Sequence, residues 1–253
     1  MHRHLLLGGL LALTAPCSQV HAVDGVIEIN QARAEKGGIT SADTPGLPVT
    51  LSASPTISDL RPPTSFRLTG SLSHSLAGDV IEIVSPNITL DLNGFTILCF
   101  LGPCTGKAVT STQANVTVMN GTLRGFAVGA ELSGSGARFE NLRAIANEVG
   151  LRANNYCLAR NNVVTGNTGS GMEVGSGCIV TGNTSSDNGG DGICTLGGSN
   201  VIGNTVRDNT LFGLNLSAET GYSQNVIGDN AGGTVSGGVS TGDNVCEGST
   251  TCP

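Results

Sequence analysis

The chain of 253 residues contains no tryptophan, two tyrosines and six phenylalanines, and only 12% of it is charged. So few large aromatics leave little to fill an ordinary compact core. So little charge excludes a solvated disordered tail, which needs high net charge and low hydrophobicity. Lysine and arginine number 12 against 19 acidic residues, for a formal net charge of −7. Nucleic-acid binding rests on clustered cations that neutralise phosphate, so that class is set aside. Histidine is scarce too. Three of the four lie in the first 21 residues, leaving His74 for the rest of the chain. Beyond the N-terminus no apolar run is long enough to cross a bilayer.

What is present begins with a leader. "MHRHLLLGGLLALTAPCSQVHA" has a short basic start at Arg3, an apolar stretch from Leu5 to Ala15 and the small-residue pattern Val20-His21-Ala22. It reads as a secretory signal peptide over residues 1–22, with the mature chain starting near Val23 and destined for secretion, the periplasm or the cell surface. A membrane anchor fits less well because the run is short, and Pro16 disfavours a lipoprotein site at Cys17. Export permits disulfides among the seven remaining cysteines. Cys99 with Cys104 and Cys246 with Cys252 have the spacing of local staples. Zinc ligation lacks both a second histidine and a finger-like cysteine spacing.

Glycine is abundant, at 38 residues, and asparagine recurs at a fixed interval. Asn120, Asn141, Asn162, Asn183, Asn204 and Asn225 follow one another every 21 residues, as do Asn167, Asn188, Asn209 and Asn230. Gly129, Gly150, Gly171, Gly192 and Gly213 form a third series, each followed by an apolar residue: Ala130, Leu151, Met172, Ile193 and Leu214. A period of this length marks a solenoid. Helical repeats would avoid so much Gly, Asn and Thr, whereas Met172-Glu173-Val174 and Leu214-Asn215-Leu216 alternate as half-buried strands do. A calcium-binding nonapeptide array has the wrong period. The fold class predicted is all-β, a right-handed parallel β-helix of about 21 residues per coil.

Coils in such a solenoid stack ~4.8 Å apart, which sets each residue over its counterpart. Asparagine tolerates the left-handed bend and can pass hydrogen bonds from coil to coil, each worth ~1 kcal/mol. Glycine supplies backbone freedom at a second bend, and the aliphatic residue after it stacks inside. The asparagines are therefore structural. Residues 23–76 are expected to cap the apolar end of the solenoid, 77–238 to form the β-helix, and 239–253 to be a tail pinned by its cysteine pair.

The "NITLDLNGFTI" stretch followed by "GN-x4-N-x3-G-I/L-x-L" coils resembles the right-handed parallel β-helix repeat proteins of the pectin-lyase-like superfamily. More narrowly it is similar to secreted bacterial members with NosD-type repeats. The resemblance covers roughly residues 80–235 and implies fold more than function, because lyases, hydrolases, epimerases, adhesins and binding proteins share it. Enzymes of the group carry Asn-Thr-Asp, Gly-His-Gly, Arg-Ile-Lys or Asp-Pro-His-Asp motifs, and none occurs here. Only the lyase arrangement, carboxylates holding Ca2+ beside a basic Arg or Lys, has counterparts.

The catalytic candidates are accordingly Asp187, Asp208 and Asp229, 21 apart, with Arg207 beside them. Stacked carboxylates repel unless a cation such as Ca2+ or the arginine offsets them, or unless they splay into solvent. The ligand-binding candidates are Glu131, Arg152 and Glu173, an opposite-charge column on successive coils. Arg124, Arg138, Arg143 and Arg160 on the early coils suit an acidic polysaccharide or cell-surface glycan. The sequence thus points to an exported polysaccharide-binding or structural surface protein. A Ca2+-assisted polysaccharide lyase is the enzymatic alternative.

Overall fold

The computed structural model describes residues 26–37, 48–51, 65–75 and 77–252, so the leader expected over residues 1–22 lies outside the described residues. The chain is a parallel β-solenoid. A nine-stranded sheet contributes one strand to each coil, and a 17-stranded sheet wraps the other two sides. Coil for coil, Ile179–Thr181, Thr184–Ser186 and Ile193–Thr195 pair in parallel with Asn200–Ile202, Thr205–Arg207 and Phe212–Asn215. The predicted 21-residue stacking is therefore observed.

Corners between these three-residue strands need a sharp turn, and at the two corners of each regular coil that carry a ladder asparagine a single left-handed residue makes it. That residue precedes the ladder asparagine. Asn161, Gly182, Gly203 and Gln224 have φ of 55, 64, 66 and 58°, each immediately before Asn162, Asn183, Asn204 and Asn225. Turning the chain there points the next side chain inward. Each ladder asparagine is 0–1% exposed, and from Asn183 onward its Oδ1 accepts from both the backbone N–H and the Nδ2 of the asparagine one coil earlier: 2.9 and 2.9 Å for Asn162 to Asn183, and 2.9 and 3.0 Å for Asn204 to Asn225. A second buried column runs through Asn167, Asn188, Asn209 and Asn230 in the same way.

Two members of the expected six-rung ladder stand elsewhere. Asn120 and Asn141 are themselves the left-handed residues, at φ 60 and 54°, and bond to each other outside the core. The strand register explains the displacement: Arg143 pairs with Val163, so Asn141 lies over Asn161, and the buried column opens on Leu142, whose N–H donates to Asn162 Oδ1. At its other end the column gains Asn244, only 19 residues after Asn225.

The glycine series serves space, not backbone freedom. These glycines are not in the left-handed region. A Cβ at Gly213 would stand 2.6 Å from Ile227 Cγ2 and 2.7 Å from Asn230 Nδ2, so the missing methyl is what lets the buried amide and the aliphatic side chain meet. Ala130, Leu151, Met172, Ile193 and Leu214 stack directly beside it as the core column.

At the N-terminal end, Val26–Ile29 pairs with Ser65–Leu68 and Val49–Leu51 with Ile81–Ile83, so strands from the region expected to cap the solenoid share its register. The helix Gln31–Lys36 is N-capped by Asn30 Oδ1, which accepts from the Arg33 N–H at 3.0 Å. At the other end Val239–Gly242 and Val245–Cys246 add strands to the stack, and the tail folds back through an antiparallel bridge between Cys246 and Ser249. Among the described residues there are three disulfides: the two expected, Cys99–Cys104 and Cys246–Cys252, and Cys157–Cys178, which joins adjacent coils with Cα atoms 4.5 Å apart. Among the described residues no helix is long and apolar enough to cross a membrane.

Candidate functional site

Alternation in the nine-stranded sheet turns every second residue outward, and register aligns those residues into one column. From the N-terminal end it reads Thr50, Glu82, Thr110, Glu131, Arg152, Glu173, Cys194, Asn215 and Ser236. The structure thus brings together the three ligand-binding candidates. Arg152 Nε lies 2.8 Å from Glu173 Oε2, and Arg152 Nη1 lies 3.3 Å from Glu131 Oε2. Burial pulls the Arg152 guanidinium down, but the hydrogen bond and charge of Glu173, aided by Glu131, outweigh it and raise its pKa above the ordinary value.

Sequence reasoning missed the neighbours of this column. Lys107 Nζ reaches Glu131 Oε2 at 3.3 Å. It does so diagonally: Lys107 stands opposite Val128, three positions before the Thr110 that pairs with Glu131, so stepping along the column by the period does not meet it. Asp191 is 7% exposed, and its carboxylate accepts from the Phe212 N–H and from Asn215 Nδ2, each at 2.9 Å. Its signal was "GGDGI", a single departure from the repeat. Cys194 is the one free cysteine among the described residues. Its thiol is pushed up to about 11, by burial first and then by the charges of Asp191 and Glu173.

The aspartate candidates lie at a different corner. Asp187, Asp208 and Asp229 have φ of 56, 57 and 57°, so each is the left-handed residue that aims the following asparagine inward. Their side chains are exposed. Arg207 is shared between two of them, with Nε 2.8 Å from Asp208 Oδ2 and Nη2 3.2 Å from Asp229 Oδ2. Asp187 instead accepts from Thr165 Oγ1 at 3.4 Å. Among the described residues no three His, Cys, Asp or Glu side chains are grouped to hold a metal ion. Arg207 and Asp229 also line a shallow, open groove of about 490 Å³ with Val226 and Glu247.

The early arginines divide. Arg160 Nη2 pairs with Glu140 Oε2 at 2.7 Å. Arg124, Arg138 and Arg143 are exposed and take part in no ion pair among the described residues. His74 is 9% exposed, and its Nε2 has no hydrogen-bond partner among the described residues, which removes it from any surface chemistry.

No protein-family model matches the chain, and no curated protein matches it. Solved structures similar to it include three distant ones. They are the A-modules of the Azotobacter vinelandii mannuronan C-5 epimerases AlgE4 (18% identity, TM-score 0.46, 67% of this chain and 61% of that one) and AlgE6 (19%, 0.39, 69% and 60%), and the Dettilon tailspike protein (14%, 0.40, 69% and 51%). The chain spans about three fifths of the length of the epimerase modules. These likenesses are distant ones of fold, and no residue role follows from them.

Proposed function

We propose that the protein is an exported β-helix that binds polysaccharide along the outward column of its nine-stranded sheet and serves as a rigid surface scaffold without cleaving what it holds. One observation carries this reading. Glu131, Arg152, Glu173, Cys194 and Asn215 stand one per coil in unbroken register, with Lys107 and Asp191 alongside. Rungs ~4.8 Å apart form a linear track of donors and acceptors on a flat face, which suits a chain of hydroxyl-bearing units better than a small molecule. The partner class we assign is an acidic polysaccharide or cell-surface glycan. The leader at residues 1–22 and three disulfides support a location outside the cytoplasm.

The enzymatic alternative, a lyase drawing on Asp187, Asp208, Asp229 and Arg207, has its charged groups at one corner. However, the Arg207 guanidinium already bridges Asp208 and Asp229, offsetting part of their charge and engaging the carboxylate oxygens that a Ca2+ would need. A panel of neutral and acidic polysaccharides, scored for retention and cleavage with and without calcium, tests both readings. Retention that is lost in Arg152→Ala, with no unsaturated product, is the expected result. Retention of nothing, or the appearance of unsaturated uronate ends, overturns it.

A further inference from the structure

The Cys99–Cys104 disulfide closes a short loop at the end of strand Thr96–Cys99. Two large apolar side chains sit on that loop in water: Phe100 is 54% exposed and Leu101 74%. The staple, with Gly102 and Pro103 inside the loop it closes, holds them away from the core to which apolar side chains would otherwise return.

Two arginines stand at the foot of the loop, with the exposed Glu148 at the same corner, its N–H donating to the Phe126 carbonyl. Leu98 stands in register with Arg124 of the next coil, and Arg124 with Ile145 of the one after. The Cys104 N–H donates to the Gly125 carbonyl at 2.8 Å, so the closing cysteine is bonded to the residue next to Arg124. Arg143 pairs in register with Thr122, which makes it the diagonal neighbour of Arg124 on the same face, roughly 7 Å away. Neither guanidinium has an ion-pair partner among the described residues. In contrast, Arg67, Lys107, Arg152, Arg160 and Arg207 are each paired. A chain of net charge −7 has thus left two adjacent positive charges uncompensated beside an apolar tip.

We propose that this patch docks the protein on the surface of an anionic phospholipid bilayer, with Phe100 and Leu101 entering the headgroup–acyl boundary and Arg124 and Arg143 meeting the lipid phosphates. Apolar insertion and headgroup attraction add in such contacts, and neither alone gives firm attachment. A sugar would use the face of Phe100 but gives no reason for the exposed Leu101. An apolar protein pocket would take both side chains but gives no reason for two unneutralised guanidiniums. The polysaccharide column uses other residues, so the two activities stand or fall separately.

The test is co-sedimentation of the protein with phosphatidylcholine vesicles made with and without phosphatidylglycerol. Binding is expected only with the anionic lipid, weakening as salt screens the charges. Arg124→Gln and Arg143→Gln should each lower the apparent partition coefficient about fivefold, and Leu101→Ser should lower it further. All these positions are exposed, and unchanged circular dichroism shows that the variants fold. Because the chain contains no tryptophan, Leu101→Trp provides a single indole, excited apart from the two tyrosines, whose emission should shift to the blue with anionic vesicles. Equal binding to both vesicle types overturns the proposal, as does anionic binding that survives the arginine and leucine substitutions. So does a Leu101→Trp emission that ignores vesicles but responds to an acidic glycan or to rising protein concentration.

Discussion

Asn225 Oδ1 accepts two hydrogen bonds from Asn204, one from its backbone N–H at 2.9 Å and one from its Nδ2 at 3.0 Å. Asn204 Oδ1 in turn accepts the same pair from Asn183. Each asparagine thereby satisfies two buried donors of the coil before it. Asn204→Ala orphans the Asn183 N–H and leaves its Nδ2 only the Ala159 carbonyl, and a buried unsatisfied group costs about 1–3 kcal/mol. A loss of about 3 kcal/mol is expected, seen as a fall of roughly 10 °C in thermal unfolding for a chain of this size. Asn141→Gly, which suits the left-handed corner and gives up only the exposed pair with Asn120, should cost less than about 0.5 kcal/mol. Equal effects of the two substitutions would mean the buried column is not what holds the coils in register.

Two glycines with different duties separate space from backbone strain. At Gly192 a methyl group would collide with Val206 Cγ1 and come within 2.7 Å of the Gly213 carbonyl and 2.8 Å of Asn209 Nδ2. Gly203 has φ +66° and nothing within 4 Å of a would-be Cβ. Gly192→Ala should therefore cost about 1–3 kcal/mol by overpacking, and Gly203→Ala about 1 kcal/mol by forcing alanine into the left-handed region. Urea unfolding of both variants gives the order directly.

The period made the stacking legible because residues 21 apart face the same neighbours, whatever the neighbours are. It could not say which way a side chain points. Asn161 and Asn162 are adjacent asparagines, one at the left-handed corner and one inside, so a step of 21 from Asn141 lands on the wrong member of the pair. Asn147 and Asn244 escaped for the opposite reason, lying 20 and 19 residues from their partners in coils shorter than the repeat. The polar column was half legible. Glu131, Arg152 and Glu173 recur at the period in one column, whereas Lys107 reaches Glu131 diagonally from its place opposite Val128 and Asp191 occurs in one coil only. The apolar tip at Phe100 and Leu101 was hidden by composition, since only three-dimensional packing says that these two side chains are left in water.

Cys157 and Cys178 also obey the period, and the reading of cysteines as local staples passed over them. Their disulfide closes a loop with a sequence separation of 21, a size for which chain-entropy arguments give about 3 kcal/mol. The double variant Cys157→Ser, Cys178→Ser should lose roughly that much. Peptide mapping of the unreduced protein should recover Cys157 linked to Cys178 and Cys194 unlinked. A cross-link from Cys194 to either would contradict the arrangement.

Asp208 earns its place by backbone conformation, since asparagine and aspartate alike tolerate φ near 57°. Asp208→Asn should keep the corner and give up only a solvent-exposed ion pair with Arg207, so its effect should stay within about 0.5 kcal/mol. Calcium and chelator should leave the unfolding temperature of the unaltered protein where it is. A calcium-dependent rise that Asp208→Ala abolishes would instead favour the lyase alternative.

Cys194 gives the polar column a signature in pH. Burial, Asp191 and Glu173 raise its thiol from 9.0 to about 11, so the folded state holds the proton more tightly than the unfolded chain does. A folded-state pKa above the unfolded one means the contribution to stability is complete below pH 9 and is lost as pH rises from about 9 to about 11, because the thiolate is then expelled from a partly buried, negatively charged setting. The unfolding temperature should therefore decline across that interval by more in the unaltered protein than in Cys194→Ser, which has nothing to ionise there. The same physics makes the thiol slow toward iodoacetamide at neutral pH, since the thiolate is the reacting form. Asp191→Asn, by removing one of the two charges, should speed alkylation, whereas Asp208→Asn, at a different corner, should leave it unchanged. Fast labelling at neutral pH in the folded protein would show that Glu173, Asp191 and Cys194 do not share the surroundings described.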